Sequence, residues 1–201
     1  MPDGWYLRQS VTVAVRSSIR AGSYSSRLEP DSANEWNEVT MTERQGTPLY
    51  TGMRNYIAEG LGFKLWLPSD WHEYEMEPGH KGRVFSPYQN DFTTCISAEK
   101  FKLKYPVKED DIKTLREGFK NGLKSMKGVR IEKFEESQQA PIYMFDAVFT
   151  YLDGDVQRKR WVRNVYWGNG QLVLIAQGKD VADYTYWEPM FFNTMYTADI
   201  K

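Results

Sequence analysis

The chain has 201 residues, enough for one domain of ordinary size together with a further segment. Its 26 Lys and Arg residues are balanced by 27 Asp and Glu residues, so it lacks the basic excess that is typical of a dedicated nucleic-acid-binding protein. No window approaches the roughly 18 apolar residues of a membrane span, and the first residues do not resemble a signal peptide. We therefore expect a cytoplasmic protein, with an exported or tethered form as the alternative if a leader has been removed.

The first 49 residues differ in composition from the rest. Val11–Val15 alternates like a short strand, but the segments around it are rich in Ser, Gly and Pro and are typical of a linker. Such a stretch buries little apolar area to offset its ordering entropy. The sequence therefore predicts an N-terminal arm over 1–49, either disordered or docked on a neighbouring copy, and a folded domain over 50–201.

The domain begins with strand patterns. Met53–Ala58 and Phe63–Leu67 flank a glycine-containing turn and are predicted to form a hairpin. Pro68 ends the second of them because it has no N–H to donate to a neighbouring strand. Two further strands are predicted over Arg83–Ser86 and Phe92–Phe101.

The clearest helix pattern lies over Lys108–Lys127. Three acidic residues in its first turn complement the helix dipole, and Gly128 is a natural stop. One apolar stripe recurs at three- and four-residue spacing along it, formed by Ile112, Leu115, Phe119, Leu123 and Met126. This stripe predicts a helix that packs on a sheet.

Strands then continue almost to the C-terminus. They are predicted over Val129–Phe134, Ile142–Leu152, Val156–Trp167 and Gln171–Gln177. Short glycine turns join the last three, which must therefore run antiparallel. Because Ile142–Leu152 is apolar on both faces, both faces need cover, and Asp180–Tyr196 has the spacing of a second covering helix. The sequence therefore predicts an α+β fold, a mainly antiparallel sheet of about six strands with helices on both faces.

This order of elements resembles the Mog1/PsbP-like superfamily, which includes DcrB-like, LpqN-like and PsbP-like proteins. The resemblance covers about Tyr50–Lys201. It is carried by Gly62-Phe63, Leu67-Pro68 and Trp71, by the strand Asn90–Ser97, by the meander from Tyr143 to Ile175, and by the helix with Trp187. It implies an α/β/α sandwich that acts without a cofactor as an accessory subunit, adaptor or chaperone. It supplies no catalytic residues.

Aromatic residues make up 15% of the chain, and such side chains are favoured at interfaces. We predict a surface that binds a protein partner or a second copy, the latter through residues 1–49. The residues expected to form it are Trp71, Trp161, Arg163, Trp167 and Trp187. Two alternatives stay open. One is an aromatic-rich core, and the other is a small-molecule or carbohydrate-binding module that uses exposed Trp66, Trp71 or Trp167.

A metal-dependent hydrolase is a further alternative. His72, Glu75 and His80 lie in a stretch that we interpret as an acidic loop, and their side chains are possible zinc or manganese ligands. Their spacing matches no recognised ligand motif, so we predict neither a metal nor a catalytic site there. Cys95 is expected to be structural because no adjacent base marks it as a nucleophile.

Three consecutive cations, Arg158-Lys159-Arg160, precede Trp161 and Arg163 on one predicted strand. Interleaved cations and aromatic rings are able to bind acidic or phosphorylated ligands. The alternative that we favour is a ladder of charges that pairs across strands with Asp146, Asp153 or Asp155.

Overall fold

The computed structural model describes residues 46–200. Residues 1–45, including Val11–Val15, lie outside the described residues, so the predictions of an arm and of self-association through it stay predictions. The described residues form ten strands and two α-helices. The strands are β1 (Met53–Ala58), β2 (Phe63–Pro68), β3 (His72–Glu75), β4 (Gly82–Ser86), β5 (Cys95–Lys102), β6 (Arg130–Gln139), β7 (Ile142–Asp153), β8 (Val156–Trp167), β9 (Gly170–Gln177) and β10 (Asp199–Ile200), and the helices are α1 (Ile112–Lys124) and α2 (Val181–Thr197).

The strands form two antiparallel sheets. Seven strands make the main sheet in the order β3-β4-β5-β9-β8-β7-β6, and β1, β2 and β10 make a smaller one. The predicted α+β fold with an antiparallel sheet is confirmed. The main sheet has one strand more than expected, and the predicted hairpin β1–β2 forms a separate sheet that packs on it.

Strand β3 was missed. The stretch that we interpreted as an acidic loop pairs with β4 and forms one edge of the main sheet. Its side chains are polar because most of them are exposed, so the strand shows no apolar alternation. Glu73 instead anchors it, since its carboxylate accepts from the hydroxyl of Tyr56 at 2.7 Å and from Nε of Arg83 at 3.2 Å.

Helix α1 covers one face of the main sheet. It follows a short 3₁₀ turn at Glu109–Asp111, and its buried side chains are Leu115, Phe119 and Leu123. These three pack on one of the two apolar faces predicted for β7, the face formed by Tyr143, Phe145, Ala147, Phe149 and Tyr151. The stripe found in the sequence is therefore the buried stripe of the helix.

Helix α2 and the small sheet together cover the opposite face. Asp180 caps α2, since its carboxylate accepts from the backbone N–H of Asp183 at 2.7 Å. The buried side chain of Asp183 in turn accepts from the hydroxyls of Tyr88 and Thr94. Pro189 lies inside α2, which continues past it to Thr197.

Candidate functional site

One cavity on the surface is a groove between α2 and the edge strand β6, which we call the α2 groove. Its cavity has a volume of about 160 Å³. It is lined by Lys133, Glu135, Asp146, Val148, Trp161, Tyr184, Glu188, Phe192 and Tyr196. Strands β6, β7 and β8 supply the floor, and α2 supplies one wall through side chains four positions apart from Tyr184 to Tyr196.

Two exposed aromatic side chains stand on that wall. Phe192 is 54% exposed and Tyr196 is 50% exposed, and their ring centroids are 4.4 Å apart. Beneath them the buried ring of Trp161 lies 6.3 Å from Phe192 and 5.6 Å from Tyr196. The three rings therefore form one aromatic cluster, which is buried on its inner side and exposed to solvent on its outer side.

A buried ion pair fixes the base of this cluster. Nε of Arg163 donates to Oδ1 of Asp146 at 2.8 Å, and Nε1 of Trp161 donates to the same oxygen at 2.7 Å. Arg163 also donates to the backbone carbonyl of Met195 in α2. Because this guanidinium joins the sheet to the helix, Trp161 is held in one orientation beneath the open rings.

The rim of the α2 groove is charged. Lys133 pairs with Glu135 at 2.9 Å, and Lys159 pairs with Glu132 at 3.0 Å. Glu188 is exposed and has no cation in ion-pair contact among residues 46–200. The rim therefore offers an approaching ligand one carboxylate whose charge is not already neutralised.

Tyr184 adds a buried polar atom to the groove lining. Its side chain is fully buried, and its hydroxyl has no hydrogen-bond partner within the described part of the chain. Burial raises the pKa of this hydroxyl, and the nearby carboxylates of Glu188 and Glu132 raise it further. The phenol therefore stays neutral, and its hydroxyl, unpaired among the described residues, lies beneath the surface of the groove.

Four tryptophans were predicted to lie on an exposed partner surface, and for three of them this exposure is wrong. Trp71 is 4% exposed, Trp187 is 5% exposed and Trp161 is 7% exposed. Trp71 and Trp187 pack edge to face at 5.4 Å within the core beneath α2. Arg163 is buried as well. The alternative of an aromatic-rich core therefore accounts for these rings, because both faces of the sheet are covered.

Trp167 lies elsewhere and is only partly buried. It lines a second cleft, of about 310 Å³, that shares no residue with the α2 groove. Trp66 is partly exposed on β2, but Trp71 is buried, so Trp66, Trp71 and Trp167 do not form the exposed platform that a carbohydrate site needs.

The cations of β8 are paired, as the charge-ladder alternative predicted. Arg163 pairs with Asp146, and Arg158 pairs with Asp153 at 2.8 Å. The buried guanidinium of Arg160 donates to the hydroxyl of Tyr151 at 2.7 Å and lies against Gln177. These paired cations therefore stabilise the fold.

The candidate metal ligands are not brought together. His72 and Glu75 lie on the exposed strand β3, whereas Nδ1 of His80 lies 2.6 Å from Oε1 of the largely buried Glu99. Within residues 46–200, no group of three His, Cys, Asp or Glu side chains is placed to hold a metal ion. Cys95 is buried, which raises the pKa of its thiol to about 11.

The sequence analysis missed Phe192 and Tyr196. Within the predicted helix Asp180–Tyr196, the residues at core spacing are Val181, Tyr184, Trp187, Phe191 and Met195. Phe192 and Tyr196 each follow a core residue directly, so they lie about 100° around the helix from it. The sequence does indicate them, because aromatic residues in the last two turns of α2 extend further around the helix than one buried stripe requires.

Comparison with known proteins identifies the fold. No family model matches the sequence, and no curated protein matches it either. Cyanobacterial PsbP (CyanoP) from Synechocystis sp. PCC 6803 matches with a TM-score of 0.55 and 10% identity, over 78% of this chain and 98% of that one. LpqN of Mycobacterium tuberculosis, which is involved in cell envelope biogenesis, matches with a TM-score of 0.52 and 12% identity, over 75% and 91%.

The chain therefore has the Mog1/PsbP-like fold, and the resemblance found in the sequence is confirmed. At identities this low the likeness concerns the fold, so it assigns no partner and no site. Neither α1 nor α2 is long and apolar enough to cross a membrane, and the same holds for every helical segment within residues 46–200.

Proposed function

We propose that this protein is a non-enzymatic accessory protein that binds a segment of a protein partner in the α2 groove. One observation carries the proposal: the half-exposed rings of Phe192 and Tyr196 pack at an angle against the fixed ring of Trp161. Aromatic side chains held against a rigid base bind partners well, because they bury large areas and lose little conformational entropy. The accessory role that the resemblance implies agrees with this site.

The groove favours an extended segment as its occupant. Strand β6 forms one edge of the main sheet and pairs with β7 alone among the described strands. Nine of its ten residues are exposed, so its outer edge is accessible along its length. A partner strand that adds to this edge places alternate side chains over the groove floor, which is the geometry of β-strand addition.

The lining also defines the chemistry of that segment. Phe192 and Tyr196 call for one apolar or aromatic side chain, and Glu188 calls for a cation beside it. We therefore expect the partner segment to carry an apolar anchor with Lys or Arg close to it.

Affinity capture with the full-length chain tests the proposal. The double variant F192A/Y196A removes the open rings, and Y105A is the matched control because Tyr105 is exposed outside the groove. A partner captured by the wild type is then purified and titrated. We expect F192A/Y196A to weaken its binding at least tenfold, whereas Y105A leaves it within twofold. Equal affinities for all three proteins would contradict the proposal.

Self-association is measured separately. Sedimentation of the full-length chain over a range of concentrations gives the mass of the species in solution. A dimer that F192A/Y196A dissociates and Y105A preserves would identify a second copy, rather than a different protein, as the occupant of the α2 groove.

A further inference from the structure

The second cleft of the molecule lies where the turn between β1 and β2 approaches the end of β5 and the turn between β8 and β9. Its volume is about 310 Å³, twice that of the α2 groove. It is lined by Gly60, Leu61, Lys81, Lys100, Phe101, Lys102, Trp167, Asn169 and Gly170. We call it the lysine cleft. Its size is at the lower end of the range for small-molecule sites.

Three lysines and no acidic residue line this cleft. Lys100 and Lys102 are two positions apart on β5 and share one face of the strand. The backbone N–H of Lys100 donates to the carbonyl of Lys81 at 2.8 Å, which places the third lysine beside them. None of the three has a carboxylate in ion-pair contact within residues 46–200, although ten ion pairs form elsewhere there. An anion in the cleft relieves their mutual repulsion.

A tryptophan ring lies beside one of these ammonium groups, that of Lys100. A Cβ placed on Gly170 would lie 2.6 Å from the ring of Trp167, so the indole rests directly on the glycine backbone. Nζ of Lys100 lies 5.7 Å from the centroid of the same ring. With Leu61, the indole gives the cleft an apolar wall beside its cations. The lining thus combines a site for an anion with a surface for an apolar group.

We infer that the lysine cleft binds a small organic phosphate monoester whose ring packs against Trp167. A phosphate monoester carries a charge of about −1.5 to −2 near neutral pH, which suits several lysines better than one carboxylate does. The remaining volume accepts the organic part, because a free phosphate ion would leave most of the cleft empty. This site is independent of the partner surface proposed for the α2 groove.

Calorimetric titration of the full-length protein at low and moderate salt tests the inference. The probes are AMP, adenosine and inorganic phosphate, which separate the whole ligand from its ring and from its anion. We expect one AMP per chain, bound at least tenfold more tightly than either fragment. The affinity for AMP should fall as salt rises, because the ammonium groups are partly exposed.

Three variants divide the site into its parts. K100Q/K102Q removes two charges and should weaken AMP binding at least tenfold. K113Q/K124Q removes the same charge from the exposed face of α1, and its affinity should stay within twofold of wild type. G170A keeps every charge but displaces the indole, and it should lower the affinity for AMP while leaving that for phosphate unchanged.

Other results would overturn the inference. Equal affinity for AMP and inorganic phosphate would indicate an adventitious ion only. An equal loss of AMP binding in K113Q/K124Q would indicate general charge attraction. Phosphatidylcholine vesicles containing phosphatidic acid distinguish a lipid headgroup from a soluble ligand. Binding to these vesicles that K100Q/K102Q abolishes, without AMP binding, would replace the small ligand with a membrane surface.

Discussion

The edge strand β6 has one closed face and one open face. On the α1 side, Phe134 packs on Phe119 with ring centroids 5.9 Å apart, and Lys120 covers the ring of Phe134 at 4.3 Å. Arg116 reaches from the helix to Glu136 on the same side at 3.0 Å. On the α2 side, Lys133 and Glu135 line a groove whose upper rings are half exposed.

Side chains of α1 cover one face of this edge strand, and within residues 46–200 no helix covers its other face in the same way. Helix α1 extends its contacts to β6, whereas α2 packs on β2, β8 and β9. The second half of α2 nevertheless carries two more aromatic rings than its buried face uses. The closed face therefore contributes to stability, and the open face is the one that we propose for binding.

Truncating one ring on each face gives the largest contrast. F119A removes a fully buried ring beneath α1 and should lower the free energy of unfolding by about 3–5 kcal/mol. F192A removes a half-exposed ring and should cost less than about 1 kcal/mol. Urea unfolding of both variants measures the difference. Equal losses would mean that the α2 groove is part of the core.

The ion pair beneath the groove should matter nearly as much as the closed face. D146A leaves the buried guanidinium of Arg163 without its carboxylate and should lower the free energy of unfolding by about 3 kcal/mol. It also removes the acceptor of Trp161. D146A/R163M, which removes both charges, should recover part of the loss in the same urea assay. A loss below about 1 kcal/mol in D146A would show that this buried pair contributes little to the stability of the fold.

The burial of Cys95 should make the free energy of unfolding depend on pH. Burial raises the pKa of its thiol to about 11 from 9.0. The unfolded chain therefore loses this proton first as the pH rises, so the stability that the neutral thiol contributes is complete below pH 9 and declines towards pH 11. Relative to C95A, the wild type should lose about 2 kcal/mol over this window. Parallel stability curves for the two proteins would contradict the burial of this thiol.

Accessibility of a thiol gives a direct contrast between the two sides. E135C places a thiol in the open groove, whereas the native Cys95 lies in the closed interior. At pH 8 we expect a thiol reagent to label position 135 at least a hundredfold faster than Cys95. Comparable rates would remove the distinction between the two faces.

Much of the fold could be predicted because its strands obey a two-residue period. The bounds of Val156–Trp167 and the aromatic face of β7 follow directly from alternation between two covered faces. Strand β3 could not be found that way, since an exposed edge strand places no apolar side chains in a core. The separation of β1–β2 into its own sheet depends on tertiary packing that no local pattern encodes.

The site was less predictable than the fold. Tryptophan is the largest apolar side chain, and its abundance suggested a surface, but Trp71, Trp161 and Trp187 are core residues. Whether Phe191 or its neighbour Phe192 faces the core depends on how α2 lies relative to the sheet edge. That placement is set by long-range contacts such as the one between Arg163 and Met195.

Photo-crosslinking from the α2 groove tests the central claim most directly. A photoreactive phenylalanine analogue replaces Phe192 in one full-length protein and Tyr105 in another, and both are irradiated in native cell extract. We expect position 192 to crosslink to a defined protein that position 105 does not capture, and we expect Y196A in the same chain to reduce the yield. Identical crosslinking patterns from the two positions would contradict this claim.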